Sequence, residues 1–125
     1  MKKLPESVIQ AWNDREPVTV LTTVSPEGIP NSIYAAVVGL LDESRIVIAN
    51  NRFAKTQQNI LSGTTGSFLF LTKDKKSFQI KGPVTLHESG PEFDEMKRIN
   101  PPEYPGFSAA VLHVEEVFSG AEQLL

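Results

Sequence analysis

The 125-residue sequence contains no cysteine, so it can form neither disulfides nor thiolate-ligated zinc or iron–sulfur centres. It also lacks any apolar run approaching the ~20 residues of a membrane-spanning helix, and no such run follows its two N-terminal lysines. We therefore expect a cytoplasmic protein with no membrane partner. Twelve Lys and Arg face fifteen Asp and Glu, which argues against nucleic acid as a partner. Redox chemistry would require an organic cofactor or a haem.

Sequence motifs for catalysis are missing as well. There is no Gly-x-Ser-x-Gly elbow, no Gly-x-Gly-x-x-Gly turn and no Walker loop. His87 and His113 have no second histidine or cysteine at metal-ligand spacing, so we predict no metal site. Neighbouring carboxylates such as Asp94 and Glu95 point apart on a helix. The sequence therefore indicates no catalytic residue.

Hydrophobic periodicity and turn residues predict the regular elements. Three short helices are expected at residues 5–13, 54–62 and 91–99, with Trp12 packing the first onto a sheet. Six strands are expected at residues 18–24, 31–41, 45–49, 66–72, 78–86 and 107–117. The run 31–41 is apolar on both faces, which predicts a strand covered on both sides. We predict a mainly β protein, one domain over residues 1–125, with six antiparallel strands forming a barrel.

One stretch of the chain carries no acidic residue. Residues 45–73 contain no Asp or Glu but do contain Arg52 and Lys55. Both lie where a strand ends and the second helix begins, a place where unpaired backbone N–H groups and the positive end of the helix dipole attract anions. Thr56 adds a hydroxyl donor, and the asparagines at 50–51 can shape the turn. From these residues alone, a phosphate site and a solvated loop are both open interpretations.

The order of the elements, together with short segments along residues 5–125, resembles the pyridoxamine 5′-phosphate oxidase-like flavoproteins, above all their small FMN-binding members. The segments that carry the resemblance are Pro30-Asn31-Ser32, Arg45-Ile46-Val47, Lys55-Thr56, Ile80-Lys81-Gly82 and Gly90-Pro91-Glu92-Phe93. The resemblance implies a split β-barrel of the FMN-binding type. It also implies a homodimer with one FMN per subunit at the subunit interface.

The resemblance further implies which residues hold the cofactor. Lys55 and Thr56 would bind the FMN phosphate, with Arg52 as an additional partner. One strand would lie along the flavin ring through Asn31, Ser32, Ile33 and Tyr34. The end of another strand would give backbone contacts to the ring edge and the ribityl chain from Ile48, Ala49 and Asn50. Judged by its apolar neighbours, Tyr34 would fit core packing equally well.

Three functions are open at this point. The first is a redox flavoprotein, either flavin reductase-like or an electron carrier, that meets a small donor or acceptor. The second is a non-enzymatic binding module of the same fold that holds haem, a deazaflavin or no cofactor. The third is a structural dimer in which the acid-free stretch is a subunit contact.

Two further expectations concern the C-terminal segment and the cover over the flavin. The oxidases proper carry an arginine- and histidine-bearing C-terminal segment that this sequence does not show, so pyridoxamine phosphate oxidase activity is not expected. We expect a partner subunit to cover the flavin with its Pro-rich loop, residues 101–107, or with its C-terminal tail.

Overall fold

The computed structural model describes residues 2–125, which form three helices and nine strands. The helices are α1 (Glu6–Asn13), α2 (Lys55–Leu61) and α3 (Pro91–Ile99). The strands are β1 (Thr19–Val24), β2 (Pro30–Ala35), β3 (Val38–Asp42), β4 (Arg45–Asn50), β5 (Thr65–Leu71), β6 (Ser77–His87), β7 (Ser108–His113), β8 (Glu116–Ser119) and β9 (Glu122–Gln123). In residues 2–125 no helix is long and apolar enough to cross a membrane.

The strands form one antiparallel sheet that curls around a core. Hydrogen-bonded neighbours follow the order β2-β1-β5-β6-β7-β4-β3, with β8 beside β6 and β9 beside β8. β2 and β3 therefore lie at the two ends of this order, although only Ala36 and Val37 separate them in the chain. The predicted split barrel is confirmed, and the split lies at the crossover from β2 to β3.

The prediction of a single strand over residues 31–41 is wrong in detail. β2 pairs with β1 and β3 pairs with β4, so the run belongs to two strands at opposite edges. Its apolar residues serve both strands in turn, which is why the sequence reads as one strand covered on both sides. In the single chain β2 is an edge strand, and its Tyr34 is 82% exposed.

The last predicted strand is also divided, at Val114–Glu115. β7 pairs with Val84–His87 of β6, and β8 pairs with Gln79–Lys81 along the same edge. One extra residue lies between the two pairings, which makes the break a β-bulge. At the bulge the backbone of His113 lies very close to Gly82. A Cβ on Gly82 would lie 1.7 Å from the His113 carbonyl oxygen. The two divided strands, with the two-residue β9 that no periodicity could reveal, raise the predicted six strands to nine.

The helices α1 and α3 pack on opposite sides of the sheet. Trp12 of α1 stacks on Phe68 with ring centroids 5.5 Å apart and meets Phe70 edge-on at 5.4 Å, inside the main core. The expectation that Trp12 joins α1 to the sheet is confirmed. α3 covers the other face, where Met96 is buried in a second cluster with Val47. The end of α3 is thereby held close to the end of β4.

Candidate functional site

Three cavities border β2, and we name each by its position. The split cavity, about 210 Å³, is lined by residues 33–37, Ala49, residues 51–53 and Tyr104. The helix cavity, about 230 Å³, lies between the β1–β2 turn and α2. The face cavity, about 290 Å³, is bordered by β1 and β2. Each is smaller than the ~300–1,000 Å³ of small-molecule sites, so a coenzyme would span more than one of them or need a second chain.

Asn50 shapes the turn that follows β4. Its side chain is 1% exposed and donates to Gln57 Oε1 at 3.1 Å and Ser108 Oγ at 2.9 Å. Its Oδ1 accepts the backbone N–H of Phe53 at 2.8 Å. The side chain is thus fully engaged within the protein, and its backbone carbonyl accepts the N–H of Phe107 at 2.9 Å.

Asn51 joins this turn to the end of α3. Its Nδ2 donates to Asn100 Oδ1 at 2.8 Å, and Asn100 Nδ2 donates back to Asn51 Oδ1 at 2.9 Å. The same Oδ1 accepts the backbone N–H of Gly106 at 2.9 Å. We call Asn51 and Asn100 the asparagine pair. The pair ties the Pro-rich loop to the turn that carries Arg52.

Arg52 and Lys55 are the two cations of this turn. Both are exposed, and in residues 2–125 neither forms a hydrogen bond or an ion pair through its side chain. Arg52 lines the split cavity, whereas Lys55 lines the helix cavity together with Glu27. The structure therefore leaves both cations available to an anion, but it places them at different cavities along β2.

Thr56 and Asn31 are brought together by α2 and β2. Thr56 is 1% exposed, and its Oγ1 accepts a hydrogen bond from Asn31 Nδ2 at 3.1 Å. This bond fixes the edge strand to the start of α2. In the described structure the Thr56 hydroxyl binds the protein, and Asn31 is the member of the pair that lines the helix cavity.

The remaining residues of β2 differ in exposure. The Ser32 and Thr22 hydroxyls are hydrogen-bonded at 2.7 Å, and Ile33 is half-buried against the core. Tyr34 is exposed and borders both the split and the face cavities. The alternative that Tyr34 packs in the core is therefore wrong for the single chain. β2 pairs on one side only, so backbone donors and acceptors on its other edge are open.

The end of β4 contributes less open surface than β2. Ile48 is paired on both sides, with Val38 of β3 and Ala110 of β7, and borders none of the three cavities. The N–H of Ala49 donates to the Val37 carbonyl at 3.0 Å, and Ala49 lines the split cavity. The structure thus brings Ala49, but not Ile48, to the cavity wall.

Tyr104 is a cavity residue that sequence reasoning did not select. It is 48% exposed and lines the split cavity of its own chain. The sequence signal was its place among three prolines, which predicted an irregular loop but not where that loop packs. The C-terminal tail behaves differently, because Leu124 donates its N–H to Val117 at 2.7 Å and folds onto its own strand.

The two histidines meet on another part of the surface. His87 and His113 both bond the Thr85 hydroxyl through Nε2, at 2.7 Å and 2.9 Å. Burial lowers the pKa of His113, and the positive charges of Arg45 and His87 lower it further. Neither histidine borders a cavity beside β2.

A larger cavity lies away from β2. It measures about 640 Å³ and is bordered by α1, the β5–β6 hairpin and the C-terminal segment. Its lining carries Asp14, Asp74 and Glu122 against one cation, Lys76. Because this charge balance repels anions, an anionic ligand is better served by the turn that holds Arg52 and Lys55.

A comparison with protein families identifies the family of this chain. The sequence model of the family described as pyridoxamine 5′-phosphate oxidase matches residues 6–119. The chain belongs to this family. No curated protein matches the chain.

Solved structures with the same fold support the assignment. HupZ from Group A Streptococcus is 18% identical over 93% of each chain, with a TM-score of 0.79. An FMN-binding protein from Syntrophomonas wolfei subsp. wolfei is 22% identical over 90% of this chain and 83% of that one, with a TM-score of 0.74. An F420 reductase is 15% identical over 92% of this chain and 98% of that one, with a TM-score of 0.71. At these identities the likeness is one of fold, the split barrel of the pyridoxamine 5′-phosphate oxidase family.

Proposed function

We propose that this member of the family is an FMN-binding redox protein whose cofactor lies along β2. The observation that carries the proposal is the turn after β4, where Arg52 and Lys55 are exposed, have no partner in residues 2–125 and lie in the acid-free stretch. Two such cations suit a phosphate, because charge-assisted hydrogen bonds to an anion are roughly twice as strong as neutral ones. The FMN-binding protein from Syntrophomonas wolfei has the same fold and supports the same ligand class.

The lining of the split cavity fits the other end of FMN. Ile33 and Ala49 supply apolar surface, while Tyr34 and Tyr104 supply aromatic surface. Among residues 2–125, no carboxylate or histidine borders this cavity, and Arg52 is the one charged side chain in its lining. When bound, the flavin supplies the electron-transfer chemistry, and the protein binds and orients it. In this proposal FMN spans the split and helix cavities, so that Arg52, which lines the first, and Lys55, which lines the second, both reach the phosphate while β2 supports the ring.

A second copy of the chain would complete the site. Val20 lies opposite both Tyr34 and Leu69, so these three side chains form a row across β2, β1 and β5 on one face of the sheet. Tyr34 and Leu69 are both exposed in the single chain. We propose this row as part of a homodimer contact beside the face cavity. Burying it would enclose a ligand that the small cavities of one chain leave open.

Purified protein tests the FMN proposal directly. We expect it either to show the visible absorbance of oxidised flavin or to bind added FMN and melt at a higher temperature. In the Arg52→Ala/Lys55→Ala variant, FMN affinity should fall by at least about tenfold while riboflavin affinity stays unchanged. Lys73→Ala, an exposed lysine outside the turn, is the matched control. Protein that carries no flavin and neither binds nor is stabilised by FMN would refute the proposal.

A deazaflavin is the second candidate ligand, because an F420 reductase shares the fold. Parallel titrations with FMN, the F420 cofactor and haemin rank the ligands. If F420 or haemin binds more tightly than FMN, that ligand takes the place of FMN in the proposal. For the FMN-bound protein, bleaching of the flavin by NADH or NADPH would indicate a reductase. Reduction only by another redox protein would indicate an electron carrier.

A further inference from the structure

The Pro-rich loop is fixed at both ends to the turn that carries Arg52. The asparagine pair holds its start, and Gly106 N–H bonds Asn51 Oδ1 at 2.9 Å near its end. Phe107 N–H then bonds the Asn50 carbonyl at 2.9 Å. Three prolines stiffen the span between these anchors by fixing φ. The loop is thus held in place by its own subunit.

The packing around Gly106 leaves little freedom in this arrangement. Gly106 has φ of +55° and is buried, and a Cβ there would lie 3.0 Å from Asn100 Nδ2 and 3.0 Å from Lys97 Nζ. Lys97 in turn donates to the Pro105 carbonyl at 3.1 Å. These contacts fix the loop, and with it the backbone on either side of Tyr104. Tyr104 borders the split cavity together with Tyr34.

We propose that Tyr104 forms the wall of the ring subsite in its own subunit, and that Asn51 and Asn100 are positioning residues that hold it there. This inference rests on the proposed flavin function and adds a specific residue to it. The ligand feature that Tyr104 recognises is a flat heteroaromatic ring, which stacks on an aromatic side chain. A bound ring would therefore already contact an aromatic residue of its own subunit, without any contribution from a partner subunit.

Titrations with two probes separate this inference from the FMN proposal. Tyr104→Ala should weaken FMN and riboflavin by the same factor, about 5- to 20-fold, because both probes share the ring. Tyr104→Phe should retain wild-type affinity, since the stacking surface is kept. Phe107→Ala is the matched control: Phe107 lies on the same loop and is 65% exposed, but does not border the split cavity.

The results that overturn the inference are distinct from those that overturn the FMN proposal. If wild-type protein binds neither probe, both fall. If it binds FMN and Tyr104→Ala binds as tightly, or if Phe107→Ala loses as much as Tyr104→Ala, only the assignment of Tyr104 falls.

A double-mutant cycle tests the positioning role. Asn100→Ala should weaken riboflavin about as much as Tyr104→Ala, and the combined variant should lose little more, because both changes remove the same wall. Additive losses would show that Asn100 does not act through Tyr104. Circular dichroism and the melting temperature verify that each variant is folded. Should Asn100→Ala not fold, Asn100→Asp, which keeps the acceptor and removes the donor, takes its place in the cycle.

Discussion

Asn51 and Asn100 bind each other through both atoms of their side-chain amides, although 49 positions separate them in the sequence. Each amide is at once donor and acceptor, so neither can change alone without leaving a polar atom unpaired. Asn100 is buried at the end of α3, and Asn51 lies in the turn after β4. The pair therefore makes the geometry of the candidate site depend on how α3 packs on the sheet.

This pairing predicts a stability loss on truncation of either partner. Asn100→Ala should lower the free energy of unfolding by about 1–3 kcal/mol, because the Asn51 amide is left without its partner. Urea denaturation followed by circular dichroism measures the change. Asn13→Ala, an exposed asparagine at the end of α1, should shift it by less than about 0.5 kcal/mol. Equal stabilities for the two variants would contradict the role given to the pair.

The helices could be predicted from the sequence because the patterns that specify them lie within a few neighbouring residues. Helical spacing and terminal residues located α1, α2 and α3 to within one residue at each end. The break at Ala36 and Val37 was invisible, since an apolar run looks the same whether one strand or two use it. Only the pairing of β2 with β1 and of β3 with β4, at opposite sheet edges, divides it.

The candidate site could also be predicted only in part, because contacts between distant segments are not visible in the sequence. Arg52 and Lys55 could be selected from the sequence, because the absence of acidic residues around them and their place before a predicted helix are both visible there. The burial of Thr56 against Asn31, and the approach of Tyr104 to the split cavity, depend on contacts between distant segments. A sequence shows that such groups exist but not which of them meet.

The contact between Gly82 and His113 predicts a severe effect from a single methyl group. In Gly82→Ala the new Cβ would fall 1.7 Å from the His113 carbonyl oxygen, which belongs to backbone and cannot rotate away. We expect a loss of at least about 3 kcal/mol in unfolding free energy, or insoluble protein. Lys81→Ala, the neighbouring strand residue, should cost less than about 1 kcal/mol. Soluble Gly82→Ala with wild-type stability would show that β6 and the bulge separate easily.

The exposed row on β1, β2 and β5 predicts the effect of charge on assembly. Leu69→Glu would place a carboxylate inside the proposed contact, where burial of an unpaired charge is costly. We expect this variant to shift the protein from dimer to monomer in light scattering, with the melting temperature of the monomeric fold retained. Lys73→Glu, at the tip of the β5–β6 hairpin, changes charge elsewhere and should leave the mass unchanged. Wild-type protein that is monomeric at all concentrations would rule out the contact.

The pKa of His113 predicts how stability depends on pH. Because burial and the positive charges of Arg45 and His87 lower this pKa from its ordinary value of 6.5, the folded state takes up the proton at lower pH than the unfolded chain does. Between the pKa of His113 in the folded protein and 6.5, the unfolded state binds more protons than the folded state. The free energy of unfolding therefore decreases as the pH drops through 6.5. This decrease ends once His113 is protonated in the folded protein as well.

Two carboxylates affect stability in a separate, more acidic pH range. The pKa values of Asp42 and Glu92 are also lowered, from 3.8 and 4.5, so the stability they contribute is lost only below those values. His113→Gln should therefore flatten the curve of unfolding free energy against pH between about pH 7.5 and 5 and leave the acid limb in place. Urea titrations at half-unit intervals of pH measure both limbs. An unchanged slope near neutrality in His113→Gln would show that protonation of another group sets the pH dependence.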